Sequence, residues 1–154
     1  MEFLNQDCEL TLREGLDELY RHNPEVASAS NVNGKIFIDH DLTHVIFGCD
    51  TSLIGEIMLK PWILFGCNIS MAELKAYADN PEVQKLNKEG EALLGGKLLG
   101  TFKIVFYYTP QFFWIWLTHV RKMSQKWPHS ALTDEMMNAR ICDLRTDYNI
   151  SVLN

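Results

Sequence analysis

At 154 residues the chain has the length of one ordinary domain, read here as residues 1–154, and can bury roughly two-thirds of its unfolded surface in a single core. An apolar content of 47% and a charged content of 22% exclude a disordered or fibrous chain. Fourteen Lys and Arg against twenty Asp and Glu give a net charge of −6. With no concentrated basic patch in view, that charge excludes nucleic acid as a partner and makes any peripheral membrane contact an apolar one.

The start, MEFLNQDCELTLREG, is acidic and has no apolar run of secretory length. Cys8, Cys49, Cys67 and Cys142 form no CxxC pair, so they read as reduced, buried thiols in a cytoplasm-like compartment rather than as a zinc ribbon or a redox pair.

In chain order, Leu12, Leu16, Leu19 and Tyr20 recur at helical spacing opposite Arg13, Glu14, Asp17 and Glu18, which predicts an amphipathic helix ending near Asn23-Pro24. Asn31 to Gly34 reads as a turn, and Lys35 to Ile38 is too short to type. From Asp39 the composition is helical but broken around Gly48-Cys49-Asp50-Thr51-Ser52, which predicts two short helices, the second capped by Asp50, Thr51 or Ser52.

Ser70-Met71-Ala72-Glu73 matches a capping box, and Asn80-Pro81 and Thr109-Pro110 each mark a further helix start. Met137, Ile141, Leu144 and Tyr148 continue at helical spacing behind Thr133-Asp134-Glu135, predicting one last helix. The sum is an all-α single-domain bundle of six or seven helices.

Ile104 to Val120 carries no formal charge and holds Phe106, Tyr107, Tyr108, Phe112, Phe113, Trp114 and Trp116. Pro110 and Gln111 interrupt it, and it falls short of the ~20 residues a membrane span needs. Two readings stay open: consecutive core helices, or an apolar pocket shared with Leu93, Leu94, Leu98 and Leu99 that takes a long apolar ligand. Gly95, Gly96 and Gly100 permit close helix approach there, or simply a loop.

His40 and His44 stand four residues apart, which on a helix puts both imidazoles on one face, and Asp41 lies one turn before His44. Glu56 follows twelve residues later and would sit ~18 Å along an unbroken helix. A reversal at Gly48 to Ser52 would bring it back beside the histidines. Two imidazoles with one or two carboxylates suit zinc, iron or manganese better than calcium. The competing reading is a set of ordinary surface or core histidines. His22 and His129 lie beside proline-containing segments and read as exposed, while His119 closes an aromatic helix.

His40-Asp41-x-x-His44 followed by Glu56 after eleven intervening residues resembles the HDxxH(x)11E motif of the coenzyme Q (ubiquinone) biosynthesis protein 4 family. Gly55-Glu56-x-x-x-Lys60 with Trp62, and Leu144-Arg145-x-x-Tyr148-Asn149-Ile150, are similar to further stretches of that family. The likeness covers most of Lys35 to Ile150, and the metal motif is its one specific part. The family's additional N-terminal region and transit peptide have no counterpart here, as expected of a compact bacterial relative. Ile38-Asp39 stands where many members carry Arg-Glu.

The resemblance implies an all-α protein in which His40, Asp41, His44 and Glu56 bind a divalent metal, zinc first and iron or manganese as alternatives, beside an apolar cavity. It implies action late in ubiquinone assembly on a polyprenylated hydroxybenzoate, by oxidative removal of the ring carboxyl in favour of hydroxyl. Expected partners are the prenylated benzoate or quinone intermediate, other quinone-biosynthesis proteins and a second copy in a homo-oligomer. The expected location is the cytoplasm, extending to the inner face of the membrane. Two alternatives accompany this reading: a non-catalytic metal-containing prenyl-lipid carrier or assembly scaffold, and a metal-dependent hydrolase in which Asp41 replaces the glutamate of HExxH.

Overall fold

The computed structural model describes residues 1–93, 95–96 and 108–153. Among them the chain is all-α, with nine α-helices: α1 (Leu12–His22), α2 (Pro24–Asn33), α3 (Lys35–Phe47), α4 (Leu53–Pro61), α5 (Met71–Ala78), α6 (Pro81–Leu93), α7 (Thr109–Thr118), α8 (Asp134–Asn138) and α9 (Ile141–Tyr148). The described residues contain no strand beyond two isolated bridges, Thr11 with Arg140 and Cys67 with Trp127. No helix among them is long and apolar enough to cross a membrane.

Ser70 and Glu73 close the expected capping box on α5, and of the three candidates at the start of α4 Ser52 accepts from the Gly55 amide; a second box, Thr11 with Glu14, opens α1, while α7 begins at Thr109 behind Tyr108 without a side-chain cap. Each cap satisfies amide donors that the first helical turn leaves open. Two differences bring the count above the six or seven helices expected. Asn31 to Gly34 is no turn, because α2 continues to Asn33 and Gly34 (φ 66°) alone separates it from α3, whose first turn is the untyped Lys35 to Ile38. The last helix is split: Ala139 accepts from the Leu12 amide and Ile141 donates to Leu10, so backbone pairing with the entry to α1 interrupts the helical ladder.

α3 runs through the centre, and every residue from Asp39 to Phe47 is buried. α1 lies close along it because position 15 is glycine: a Cβ there would stand 2.6 Å from Val45 and 2.7 Å from Ile141. Surrounded on all sides, α3 shows no apolar stripe, and each of its polar side chains has to find an internal partner.

Arg145 of α9, wholly buried, supplies the end of this helix. Its guanidinium donates to the carbonyls of Val45 and Ile46 in the last turn of α3, and to those of Phe3, Asn5 and Gln6 in the N-terminal segment. Burial pulls its pKa down to about 10, still far above neutrality, so the group stays charged. A cation on a helix C-terminus is favourable both as donor and against the helix dipole.

Candidate metal centre

α3 ends at Gly48, whose left-handed conformation (φ 63°, ψ 39°) turns the chain at once. Asp50 then accepts from the Ser52 amide and hydroxyl, and Ser52 caps α4. A Cβ at Gly55 would collide with the Asp50 carbonyl, so only glycine lets this turn fold tightly onto the first turn of α4. The reversal expected from the sequence is therefore present, and it places Glu56 over His40 and His44.

Three side chains converge. His40 Nε2 and His44 Nε2 are 3.2 Å apart, Glu56 Oε1 is 3.1 Å from His44 Nε2, and Glu56 Oε2 is 3.5 Å from His40 Nε2. Two donors each 2.0–2.1 Å from a tetrahedral zinc lie ~3.3 Å from one another, so these separations match the edges of such a site. The three residues offer ligand atoms within 4.8 Å of one another and could hold a metal ion. Both histidines are buried, whereas the Glu56 side chain is 40% exposed, so the group opens to solvent on the α4 side.

His44 Nδ1 lies 3.2 Å from the Cys49 carbonyl. With its N–H donated there, Nε2 is the atom left to face the ion, which is the usual way an outer partner fixes a ligating imidazole. Burial opposes protonation of His44, but the hydrogen bond and charge of Glu56 outweigh it and raise its pKa. Burial likewise works against the Glu56 carboxylate, and hydrogen bonds from both imidazoles hold it well below the usual carboxylate range. His44 and Glu56 thus each favour the charged form of the other.

Asp41 is not brought into this group of three. Its buried Oδ2 accepts from the hydroxyls of Tyr20, at 2.9 Å, and Ser30. It backs the site, tying α3 to α1 and α2. Burial drives its pKa upward in spite of those two donors.

Sequence reasoning did not connect the site with Ser30, with Tyr77, which stacks on His40 with ring centroids 4.6 Å apart, or with Tyr20, which it read only as part of the apolar stripe of α1. None has a spacing that relates it to the histidines, since each arrives from a different helix. His129 corrects another expectation: it is buried, with Nδ1 lacking a protein partner, because the segment after Trp127 turns inward. His22 is exposed as expected, and His119 packs between Trp62 and Trp114.

Beside the metal group α4 also forms one wall of a largely apolar cleft of about 340 Å³ against α7, lined by Ile57, Lys60, Tyr108, Thr109, Phe112 and Phe113. Tyr108, Phe112 and Phe113 belong to the aromatic run for which core helices and an apolar pocket are the two readings. Leu94, Leu98, Leu99, Gly100, Ile104, Phe106 and Tyr107 lie outside the described residues. Leu93 is exposed.

No protein-family model, curated protein or solved structure matches this chain.

Proposed function

We propose that the chain is a metal-dependent protein of prenylquinone metabolism, related to the coenzyme Q biosynthesis protein 4 family, that binds a polyprenylated hydroxybenzoate. His40, His44 and Glu56 hold the metal, zinc by the family resemblance with iron or manganese as alternatives, and Asp41 is the buried carboxylate behind it. The prenyl tail enters the cleft between α4 and α7. One observation carries the reading: Glu56 of the metal group and Ile57 of the cleft are consecutive residues of α4, so one short helix serves a cation site and an apolar slot. That pairing suits an amphiphile with one anionic end.

A bound divalent ion would supply Lewis acidity toward the substrate carboxylate or phenolate. The chain's own residues do the rest. His44 is oriented by the Cys49 carbonyl, and Tyr77 covers one face of His40. Lys60, one helical turn from Glu56 and at the cleft, offers a second positive charge to the acid. The associated chemistry releases the ring carboxyl as carbon dioxide and installs hydroxyl, with dioxygen as oxygen source and an external two-electron donor reducing its second atom to water. It would need iron or manganese at the site, since zinc has no redox chemistry, and a zinc-loaded protein fits the carrier reading.

The test combines elemental analysis with calorimetry over a series of prenylated hydroxybenzoates and a carbon dioxide assay. Each buried methylene contributes ~0.8 kcal/mol, so affinity should climb steeply with the first isoprene units. Length-dependent binding with carbon dioxide release supports the enzyme. Length-dependent binding without it supports the carrier or scaffold, a reading favoured by the way the group ties α3 to α4. Affinity indifferent to prenyl length rejects the lipid.

A further inference from the structure

Cys8, Cys49 and Cys67 are buried, as read from the sequence, but Cys142 is only half-buried. Cys8 precedes α1 and Cys142 is the second residue of α9, so they are far apart along the chain. The backbone brings them together. The Leu12 amide donates to the Ala139 carbonyl at 3.0 Å, the Ile141 amide to Leu10 at 2.8 Å and the Cys142 amide to Cys8 at 3.0 Å, so the entries to α1 and α9 run side by side. The amides of Ile141 and Cys142 are among the donors that the first turn of a helix leaves open, and pairing them with this segment fixes its register.

The direct hydrogen bond between Cys142 and Cys8 limits their separation. With standard backbone dimensions the two Cα atoms stand at most about 6.9 Å apart along a straight path through nitrogen and oxygen, and the bends at both atoms shorten it. A disulfide joins Cα atoms about 4.4–6.8 Å apart. Direction agrees with distance. Helical Cα–Cβ bonds tilt toward the N-terminus, which is the end of α9 whose amides meet Cys8 and Leu10.

The surroundings distinguish this pair from the other thiols. The Cys8 sulfur takes a hydrogen bond from the Leu10 amide, and the Leu10 carbonyl in turn accepts from Ile141, which ties that thiol to the start of α9. The Arg145 guanidinium lies within electrostatic range of Cys8, Cys142 and Cys49. Cys49 pairs its amide with His44 instead, and burial pushes its thiol up to about 12. Access sets the order within the pair: Cys8 is 2% exposed and burial raises its pKa, so Cys142 is the thiol that meets an oxidant.

We propose that Cys8 and Cys142 are an oxidisable dithiol, a modification site at which a hydroperoxide forms an intramolecular disulfide between the entry to α1 and α9. The Cys142 sulfur attacks the peroxide: an S–O bond forms, the O–O bond breaks, and the sulfur gives up two electrons. The departing hydroxide takes the thiol proton and leaves as water. The Cys8 sulfur then attacks the sulfenic sulfur; the S–S bond forms, the S–O bond breaks, and hydroxide leaves with the Cys8 proton as a second water. The bond fastens a second time the N-terminal segment that Arg145 already holds through the carbonyls of Phe3, Asn5 and Gln6. Neither step involves the metal group or the cleft, so the inference stands apart from the proposed function.

The full chain, reduced and then freed of reductant, is treated with stoichiometric hydrogen peroxide. The four thiols should fall to two in a protein that stays monomeric, and peptide mapping should find Cys8 joined to Cys142. A phosphine should restore all four. Tm of the oxidised form should rise by about 10 °C, because the bond closes a loop of more than about 100 residues. Cys8→Ala should leave Cys142 as a sulfenic acid that a cyclic 1,3-diketone traps, Cys142→Ala should leave Cys8 unreacted, and Cys49→Ala should still form the bond. Far-ultraviolet dichroism shows that each variant folds. A disulfide between other cysteines, a dimer joined through Cys142, oxidation of Cys142 with Cys8 still free in the parent, or four thiols persisting in excess peroxide would each overturn the proposal. A lower Tm in the oxidised form would do the same, since the native backbone would then not accept the bond.

Discussion

Replacing Arg145 with Met should lower stability by about 3–5 kcal/mol, because the side chain serves as the common donor for segments that are far apart in sequence. Three of its acceptors, the carbonyls of Phe3, Val45 and Ile46, are buried, and the Asn5 and Gln6 carbonyls lie nearer water. An orphaned buried carbonyl costs about 1–3 kcal/mol, while losing the desolvated charge itself returns part of that sum. Met keeps the unbranched apolar stem, so the change isolates the hydrogen bonds from the packing. For a chain of this size each kcal/mol corresponds to roughly 2–4 °C in Tm, which places the expected fall near 10 °C or more. Urea titration and calorimetry of metal-free protein measure it. Arg145→Lys should recover part of the loss, since an ammonium has three donors where the guanidinium has five. If Arg145→Met unfolds within about 1 kcal/mol of the parent, the clamp is not what joins these segments.

The metal group is expected to respond to substitution in two grades. His44→Ala or Glu56→Gln should abolish stoichiometric metal in elemental analysis, whereas Asp41→Asn should keep it with affinity about 10- to 100-fold lower, the effect of an outer partner. For metal-free protein the pH dependence follows from His44. A raised folded pKa gives stability that is complete below the unfolded value near 6.5 and is lost as pH rises through the raised one. Denaturant midpoints should therefore fall from mildly acidic to mildly alkaline pH, while competition titrations should show metal affinity increasing over the same window as the proton leaves. Gly55→Ala should cost about 1–3 kcal/mol and weaken metal binding, measured on the same samples, because the Asp50 turn must shift and carry α4 with it.

What was legible in the sequence is what is local. Ser52, Ser70 and Asn80 sit where short-range hydrogen bonds fix helix starts, and each of those starts is found. His40, His44 and Glu56 span seventeen residues containing one reversal, and the reversal is written in Gly48 and the Asp50-Thr51-Ser52 cap. α2 was not legible. Its sequence, PEVASASNVN, has no apolar stripe and is rich in Ser and Asn, which favour caps and turns over helix interiors. Its place is held from outside, by the buried Ser30 hydroxyl on Asp41 and by packing on α3.

The same distinction governs Asp41. Spacing alone assigns it to the metal, because a carboxylate one turn before His44 is within reach of the same ion. Whether its oxygens face that ion depends on Tyr20 and Ser30, twenty-one and eleven residues away, and pattern reading along one helix has no access to either. The polar residues of α3 divide in the same way: Asp39 and Thr43 find partners within the helix, in Lys35 one turn back and the His40 carbonyl, whereas Asp41 is satisfied by α1 and α2 and His44 by the Cys49 carbonyl and α4. The motif therefore identifies which side chains come together as a candidate metal group. That His40, His44 and Glu56 converge while Asp41 stands behind them is a property of the packed bundle.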